Sequence, residues 1–169
     1  MKNREREAAI GICFNKSRDQ VLLVKRRDIP VWVPPGGGID KDEAPEKAVL
    51  REILEETGFV AKIIRKVGEY RPKNRLSRPT HLFECEIISG AERLNEESSA
   101  IGFHSLKNLP LPLAPPHLEW IEEAFQNQSE LILRDITSVS YFTLLRALVL
   151  HPLITIKFLL TRLGIHINR

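Results

Sequence analysis

The sequence has few cysteines and lacks the short motifs of several enzyme classes. Cys13 and Cys85 are its only cysteines and no C-x-x-C pair occurs, so no cysteine-based metal site is predicted, and we expect both thiols to be buried and reduced. No G-x-S-x-G segment is present, and the histidines have no spacing that indicates a catalytic triad. Nucleophilic catalysis by serine or cysteine is therefore not predicted.

An export signal and a clear membrane span are also missing. The N-terminal segment MKNREREAAIGICFN alternates charged residues before an apolar run of about seven residues, which is too short for a secretory signal. Residues 139–163 are strongly apolar but contain Arg146, His151, Pro152 and Lys157, whereas a membrane-spanning helix needs about 20 apolar residues with few charges. We predict a cytoplasmic protein, with peripheral membrane contact as an open alternative.

Composition favours one globular unit of ordinary character. In 169 residues, 43% are apolar and 28% are charged, which is enough to build a core and gives no sign of disorder. The net charge of +3 is small but unevenly distributed. Because basic residues gather at 25–27, at 71–78 and near the C-terminus, we expect a small anionic ligand rather than a nucleic acid.

Local patterns predict the element order β-β-β-α-β-β. Apolar runs at residues 8–14 and 20–25 flank a turn-like segment and predict a β-hairpin or meander, followed by a strand at 31–33 that Pro34 ends. A helix is predicted from 44 to 57, because Pro45 suits a first helical turn and Gly58 suits a C-cap. Strands at 60–67 and 81–88 flank a polar loop, and residues 92–109 are predicted to be mostly loop.

The C-terminal part of the chain differs in composition. A helix is predicted at 117–126, where the domain formed by residues 1–128 closes. Residues 129–169 are predicted to be an apolar, basic extension, with a possible strand at 131–136 and two amphipathic helices broken at Pro152. No acidic residue follows Asp135. We expect this extension to cover the domain's own apolar surface, to form a homodimer or to contact an anionic membrane.

The predicted first helix carries an unusual density of acidic residues. At about 100° per residue, Glu52, Glu55 and Glu56 share one face. Leu50, Ile53, Leu54 and Thr57 lie opposite, on the apolar side expected to dock on the sheet, so the carboxylates are predicted to point away from the core. Like charges at this spacing destabilise a helix, and Arg51 alone cannot neutralise three carboxylates. A divalent cation is their natural partner, and oxygen ligands favour Mg²⁺ or Mn²⁺ over Zn²⁺.

The spacing around these glutamates resembles the Nudix box. That motif is a glycine, five residues, a glutamate, seven residues, Arg-Glu, an apolar residue, one residue, Glu-Glu, one residue, a glycine and an apolar residue. The sequence matches every constrained position, at Gly37, Glu43, Arg51, Glu52, Ile53, Glu55, Glu56, Gly58 and Phe59. With the element order around it, the resemblance extends over about residues 6–127.

The resemblance implies an α/β fold, namely an α/β/α sandwich with a mixed sheet, here with a C-terminal helical extension. It also implies hydrolysis of a nucleoside diphosphate linked to another group, with Mg²⁺ or Mn²⁺. Metal ligands would be Glu52, Glu55, Glu56 and the carbonyl of Gly37. Arg51 would orient a glutamate, while Glu43 and Gly58 would support the loop. Candidates for the general base are Glu52 and Glu97.

Several residues outside these roles are candidates for substrate binding. Trp32 precedes the glycines and suits either stacking on a nucleobase or packing in the core. The remaining candidates are basic residues and loop glycines, namely Arg27, Gly36, Gly38, Arg71, Lys73, Arg75 and Arg78. The substrate stays open among nucleoside triphosphates, ADP-ribose-like molecules, nucleotide sugars and dinucleoside polyphosphates.

Two kinds of function fit this sequence. One is an enzyme, a metal-dependent pyrophosphohydrolase, and the other is a nucleotide-binding regulatory module that keeps the fold without catalysis. A module without chemistry has no need for the full set of Arg51, Glu52, Glu55 and Glu56. Since all four are present, the enzyme is the favoured hypothesis.

Overall fold

The computed structural model describes residues 7–114, 116–126 and 129–142, and beyond these 145–146, 152–153, 155–156 and 160. The elements in chain order are β1 (Ala8–Cys13), β2 (Gln20–Arg26), β3 (Trp32–Val33), β4 (Gly36–Gly38), α1 (Pro45–Thr57), β5 (Phe59–Pro72), β6 (Thr80–Gly90), β7 (Ser98–Ser105), α2 (His117–Phe125) and β8 (Ile132–Ile136). The helices predicted at 44–57 and 117–126 and most predicted strands are confirmed.

The strands form two sheets. The larger has the order β4-β1-β6-β5-β8, and the smaller has the order β3-β2-β7. The larger sheet is mixed, since β1 pairs parallel with β6 and β5 pairs parallel with β8, whereas the β1–β4 and β5–β6 pairs are antiparallel. Strand β4 is therefore an edge strand, and it carries the three glycines toward α1.

The two helices cover opposite faces of this strand layer. Alternation along β1 directs Ala9 and Cys13 to one face, where they pack with Val49 and Ile53 of α1. Ile12 points to the other face, in a cluster that contains three residues of α2, which are Trp120, Ile121 and Ala124. The predicted α/β/α sandwich with a mixed sheet is thus confirmed.

Helix α1 begins and ends at the residues that the sequence indicates. Pro45 occupies the first helical turn, where its missing N–H leaves no hydrogen bond unmade. Gly58 adopts the left-handed conformation with φ of 78° and donates its N–H to the carbonyl of Leu54 at 2.9 Å. A side chain is strained at that φ, so glycine fixes the end of the helix.

Three local predictions are wrong. Strands β1 and β2 do not form a hairpin, because they meet only at the Phe14–Val21 bridge and then enter different sheets. The segment at 92–109, expected to be mostly loop, contains the strand β7, which pairs along β2. Gly36, Gly37 and Gly38, predicted to be loop glycines, lie in an extended strand beside Ile10, Ala9 and Ala8.

Strand β8 lies within the segment predicted to be a C-terminal extension. It pairs with the end of β5, from Gly68–Ile132 to Pro72–Ile136, and Ile136 is buried. The described part of that segment thus contributes to the main sheet. Most of residues 143–169 lies outside the described residues. Pro152 is described, but His151 before it and Ile154 after Leu153 are not, so the break at His151-Pro152 stays a prediction. Within the described part of the chain, no helix has the length and apolar character needed to cross a membrane.

Candidate active site

The edge strand β4 and the helix α1 meet through two glutamates. The N–H of Gly36 donates to Oε2 of Glu56 at 2.9 Å. The carboxylate of Glu52 lies so close to Gly37 that a Cβ added there would be 2.4 Å from Oε1 of Glu52. Gly37 is therefore needed because its bare backbone leaves room for that carboxylate. The contact fixes two carboxylates of the acidic helix against one short strand.

Arg51 donates hydrogen bonds to four residues of this region. Its Nε and Nη2 donate to the two carboxylate oxygens of Glu43, each at 2.9 Å. Nη1 donates to Glu52 at 2.9 Å and to Glu55 at 3.2 Å, and Nη2 also donates to the carbonyl of Gly38 at 3.1 Å. One planar guanidinium thus holds the loop, the strand and the helix together. Hydrogen bonding to Glu43 is the main reason why the pKa of Arg51 is raised.

Glu43 supports the loop that leads into α1. Its Oε2 accepts the N–H of Asp40 at 3.0 Å in addition to the Arg51 donors. The hydrogen bond from Arg51 is the largest cause of the lowered pKa of Glu43. A carboxylate that is kept ionised between a guanidinium and a backbone N–H braces the loop and has no free pair of oxygens to offer a substrate.

The three glutamates of the helix face differ in burial. Glu56 is only 8% exposed, and the side chain of Glu52 is 15% exposed, whereas that of Glu55 is 57% exposed. Leu54, predicted on the buried side, is 42% exposed. The prediction that all three carboxylates point away from the core is therefore wrong. Strand β4 covers Glu56. The rotation of residues around a helix axis does not show which other elements pack on the helix, so this burial could not be predicted from the helix alone.

Burial and mutual repulsion disfavour ionisation at this cluster. Burial raises the pKa of Glu56 to about 7, against the stabilising N–H of Gly36, and the charges of Glu52 and Glu97 raise it further. The pKa of Glu52 is also raised, first by burial, and Arg51 opposes the shift. Glu97 acts on both groups from a different loop. The structure therefore brings Glu97, a candidate general base, to the same cluster as Glu52 and Glu56.

The chemistry of these donors fits a hard divalent cation. The acidic side chains here offer only carboxylate oxygens, the ligands that Mg²⁺ and Mn²⁺ prefer, and burial together with neighbouring acidic charge raises the pKa of Glu52 and Glu56. Among the described residues, however, no three acidic, histidine or cysteine side chains converge as a ready metal cage. Glu55 is directed to Arg51 instead. The predicted set of Gly37, Glu52, Glu55 and Glu56 is thus adjacent but not assembled into one cage.

The predicted substrate-binding residues separate into near and distant groups. Gly38 has Nη1 of Arg78 as the nearest atom to an added Cβ, at 3.7 Å, so Arg78 lies beside β4. Arg71 lies near the far edge of the same sheet, where it pairs with Asp135 of β8. Lys73 approaches the Asp135 carboxylate at 4.0 Å, and Arg75 is exposed in the loop after β5.

Trp32 packs against residues of the core. Its indole makes an edge contact with the ring of His104, with centroids 4.5 Å apart, and Lys25 Nζ lies 5.8 Å from the ring. The residue is half-buried in the smaller sheet and its main chain is bonded to Pro112 and Ala114. Trp32 therefore has a packing role in this structure, and stacking on a nucleobase stays a prediction.

Two residues near the carboxylates were missed by sequence reasoning. Arg27, the predicted ligand, is exposed and donates to the carbonyl of Ser98 at 3.0 Å. Its neighbour Arg26 is the one whose charge reaches Glu56 and Glu97. Asn95 bonds the loop of Glu97 to α1. Alternation along β2 predicts that Arg26 and Lys25 point to opposite faces of the sheet, but it does not predict which face lies toward the carboxylates. No sequence pattern indicates a role for Asn95.

Comparisons with known proteins agree with this geometry. A family model described as NUDIX domain matches residues 5–124. A putative 8-oxo-dGTP diphosphatase of Bacillus subtilis is 39% identical over 126 residues, which cover 73% of this chain and 82% of the relative. Several other curated relatives are matched over a smaller part, with the chain spanning 54% to 60% of their length.

Solved structures show the same likeness. An ADP-ribose pyrophosphatase from Streptococcus suis superimposes with a TM-score of 0.62 at 27% identity, covering 78% of this chain and 98% of that one. A NUDIX domain from Shewanella oneidensis, solved in complex with ADP ribose, superimposes with a TM-score of 0.59 at 25% identity, covering 72% of this chain and 87% of that one.

Proposed function

The chain belongs to the NUDIX family of hydrolases, and from that premise we propose that it is a Mg²⁺- or Mn²⁺-dependent pyrophosphohydrolase that cleaves a nucleoside diphosphate linked to another group. One observation carries the metal dependence: the carboxylates of Glu52 and Glu56 lie against the backbone of Gly37 and Gly36, and Glu56 accepts the N–H of Gly36 at 2.9 Å. Carboxylate oxygens gathered beside a glycine strand are suited to a divalent cation, which in turn binds phosphate oxygens.

Residues of this chain would hold the cation at the glutamate face of α1. Glu52, Glu55 and Glu56 would be its ligands, together with the carbonyl of Gly37. A divalent cation bound there supplies charge neutralisation for phosphate oxygens and activates a water molecule. Glu55 has to leave Arg51 to take part, and its exposure makes this movement inexpensive.

The remaining steps belong to side chains. Arg51 keeps Glu52 in place from one side while Glu43 holds Arg51 from the other. Glu97 is exposed and its charge acts on Glu52 and Glu56, which supports a role in accepting a proton from the attacking water. Arg78 beside β4, and Arg26, which is paired with Asp28 and whose charge acts on Glu56, would stabilise the charge of the phosphate groups.

The choice of substrate has support from two directions. A relative of which the chain covers 82% is named as a putative 8-oxo-dGTP diphosphatase, which supports a nucleoside triphosphate. Two structural neighbours are named with ADP-ribose, which supports an ADP-ribose-like substrate. We propose a nucleoside triphosphate first and ADP-ribose second, with nucleotide sugars and dinucleoside polyphosphates as further members of the test panel.

The experiment is a substrate panel with identified products. The full chain is incubated with each class of compound and Mg²⁺ or Mn²⁺ in ¹⁸O-labelled water. The products are separated and their masses are measured, which shows which phosphorus atom the water attacked. Glu52→Gln and Glu55→Gln should lower kcat/KM by roughly a hundredfold or more, while Glu46→Gln, an exposed position of the same helix, should not. Unchanged turnover in Glu55→Gln would rule out its role, and absence of turnover with every compound would favour a binding module.

The apolar, basic extension would mediate association. In its described part, Tyr141, Phe142, Leu145 and Leu153 are each at least 60% exposed, and no acidic residue follows Asp135. Exposed aromatic and aliphatic side chains favour contact with another surface. We place a second copy of the chain first and an anionic membrane second. The mass of the full chain in solution, and its sedimentation with anionic liposomes, separate the two.

A further inference from the structure

Asn95 is a loop residue that bonds to two different parts of the active-site region. It lies between β6 and β7, and its Nδ2 donates to the carbonyl of Glu55 at 3.2 Å. Its Oδ1 accepts the N–H of Glu97 at 3.0 Å and the N–H of Ser98 at 2.8 Å. The amide therefore donates a hydrogen bond to helix α1 and accepts hydrogen bonds from the segment that contains Glu97.

The carbonyl of Glu55 is a group that needs such a partner. The last four carbonyls of a helix have no donor within the helix, and Glu55 lies in the final turn of α1. A second bond, from the N–H of Arg93 to the carbonyl of Thr57 at 2.9 Å, joins the same loop to the same helix end. The loop is thus attached to α1 at two points, and Asn95 is the side chain that makes one of them.

Other contacts hold the far side of this segment. The carbonyl of Glu97 accepts the N–H of Arg27 at 2.8 Å, and the carbonyl of Ser98 accepts Nη2 of Arg27 at 3.0 Å. The main chain of Glu97 is therefore held between β2 and Asn95. Its carboxylate lies close enough to Glu52 and Glu56 to raise the pKa of each. The position of that charge depends on the backbone that Asn95 holds.

We propose that Asn95 is a positioning residue that fixes Glu97 beside Glu52 and Glu56, so that the affinity of the site for a divalent cation depends on the Asn95 amide. This inference rests on the proposed function. Aspartate in its place would lose the donor to the carbonyl of Glu55, and serine offers a single hydroxyl oxygen in place of the separate donor and acceptor atoms of the amide. Outer groups that orient ligands typically change metal affinity by about 10-fold to 100-fold.

The test measures Mn²⁺ binding to the full chain without substrate, from the electron paramagnetic resonance signal of free Mn²⁺. Asn95→Ala and Glu97→Gln should each raise the Kd for Mn²⁺ roughly tenfold. Since Asn95 acts through Glu97, the double variant should bind no more weakly than Glu97→Gln alone. Asn95→Ser, which keeps an acceptor, should fall between the wild type and Asn95→Ala.

Matched variants control for the loss of an amide and of an acid. Asn74→Ala removes an asparagine that bonds a different loop, and Glu96→Gln removes the exposed acid beside Glu97. Both should bind Mn²⁺ like the wild type. Thermal unfolding checks that each variant is folded, and Asn95→Ser carries the test if Asn95→Ala does not fold.

Two results would contradict the role of Asn95, and a third would contradict the proposed metal site itself. Wild-type Kd in Asn95→Ala together with a raised Kd in Glu97→Gln would show that Asn95 does not position Glu97. Full additivity in the double variant would show the same. If the wild type bound no Mn²⁺, or Glu52→Gln bound it equally well, the proposed metal site itself would fail and this inference with it.

Discussion

Glu56 is a buried carboxyl group whose neighbours act on its ionisation in opposite directions. Burial beneath β4 raises its pKa to about 7, and the N–H of Gly36 and the charge of Arg26 only partly compensate. In the unfolded chain the same group ionises near the ordinary value for glutamate, about 4.3. Between these two values the folded state holds a proton that the unfolded state has released.

The stability of the metal-free protein should therefore fall as the pH rises. With a folded pKa above the unfolded one, the contribution of Glu56 is fully present below about pH 4.3 and is lost as the pH passes about 7. The loss is on the order of 4 kcal/mol at most, since each pKa unit corresponds to about 1.4 kcal/mol. Glu56→Gln should remove most of this dependence, measured by urea unfolding from pH 5 to 8 in EDTA.

The control for this prediction is Glu46→Gln, an exposed position on the same helix, which should keep the wild-type dependence on pH. Adding Mn²⁺ should restore stability to the wild type above pH 7, because a bound cation favours the ionised carboxylate. Equal pH dependence in the wild type and Glu56→Gln would contradict the buried, proton-holding state of Glu56.

At the residue scale, the sequence predicted identities better than environments. Spacing alone selected Arg51, Glu52, Glu55 and Glu56, and the structure places them on one short stretch of α1. Whether a carboxylate is buried depends on what lies over it, and β4 reaches Glu56 from a distant part of the sequence. Asn95 could not be found for the same reason, since its bonds to Glu55 and Glu97 exist only after the chain has folded.

At the scale of elements, β4 packs closely on α1 because its residues are glycines and have no side chains. A Cβ at Gly37 would lie 2.4 Å from the Glu52 carboxylate, whereas a Cβ at Gly38 meets nothing closer than Nη1 of Arg78 at 3.7 Å. Real Cβ atoms do not approach other atoms as closely as the first distance. The two adjacent glycines of one strand therefore have different tolerances to the same substitution.

Gly37→Ala should lower kcat/KM far more than Gly38→Ala. The new methyl group displaces the Glu52 carboxylate, and a displacement of about 1 Å at a catalytic group costs about a hundredfold in rate. Gly38→Ala keeps the carbonyl that accepts from Arg51 and adds a methyl group in ordinary van der Waals contact with Arg78. Steady-state kinetics with Mg²⁺, with both variants checked for unfolding temperature, tests the difference, and similar losses in both variants would contradict it.

Elements with local signals were predicted, and those that depend on distant partners were not. Pro45 and Gly58 mark the ends of α1 within the sequence itself, so its bounds were predicted to within one residue. Strand β7 has an apolar core of only three residues, and its remaining length is fixed by pairing with β2. The expected β1–β2 hairpin failed because each strand gains more partners in a separate sheet.

At the scale of the whole molecule, β8 connects the C-terminal part of the chain to the catalytic domain. It extends the main sheet beyond β5, and its Ile136 is 3% exposed. Past the strand, the carbonyl of Val139 accepts Nδ2 of Asn74 at 2.7 Å, and its side chain packs against the core. The structural unit therefore includes residues up to about 139, while a boundary at residue 128 would divide a sheet.

Two truncations test whether the structural unit ends near residue 128 or near residue 139. A chain ending at Gln126 loses β8, exposes the edge of β5 and uncovers the site of Ile136, whose burial alone is worth about 1.5–3 kcal/mol. A chain ending at Ser140 keeps β8 and the Asn74 bond. We expect urea unfolding to show lower stability, or aggregation, for the first, and near-wild-type stability, Mn²⁺ binding and turnover for the second. If the chain ending at Gln126 were as stable as the full chain, β8 would be dispensable and the domain boundary at residue 128 would be correct. If the full chain were oligomeric and the chain ending at Ser140 formed the same oligomer, the proposed self-association through the extension would be wrong.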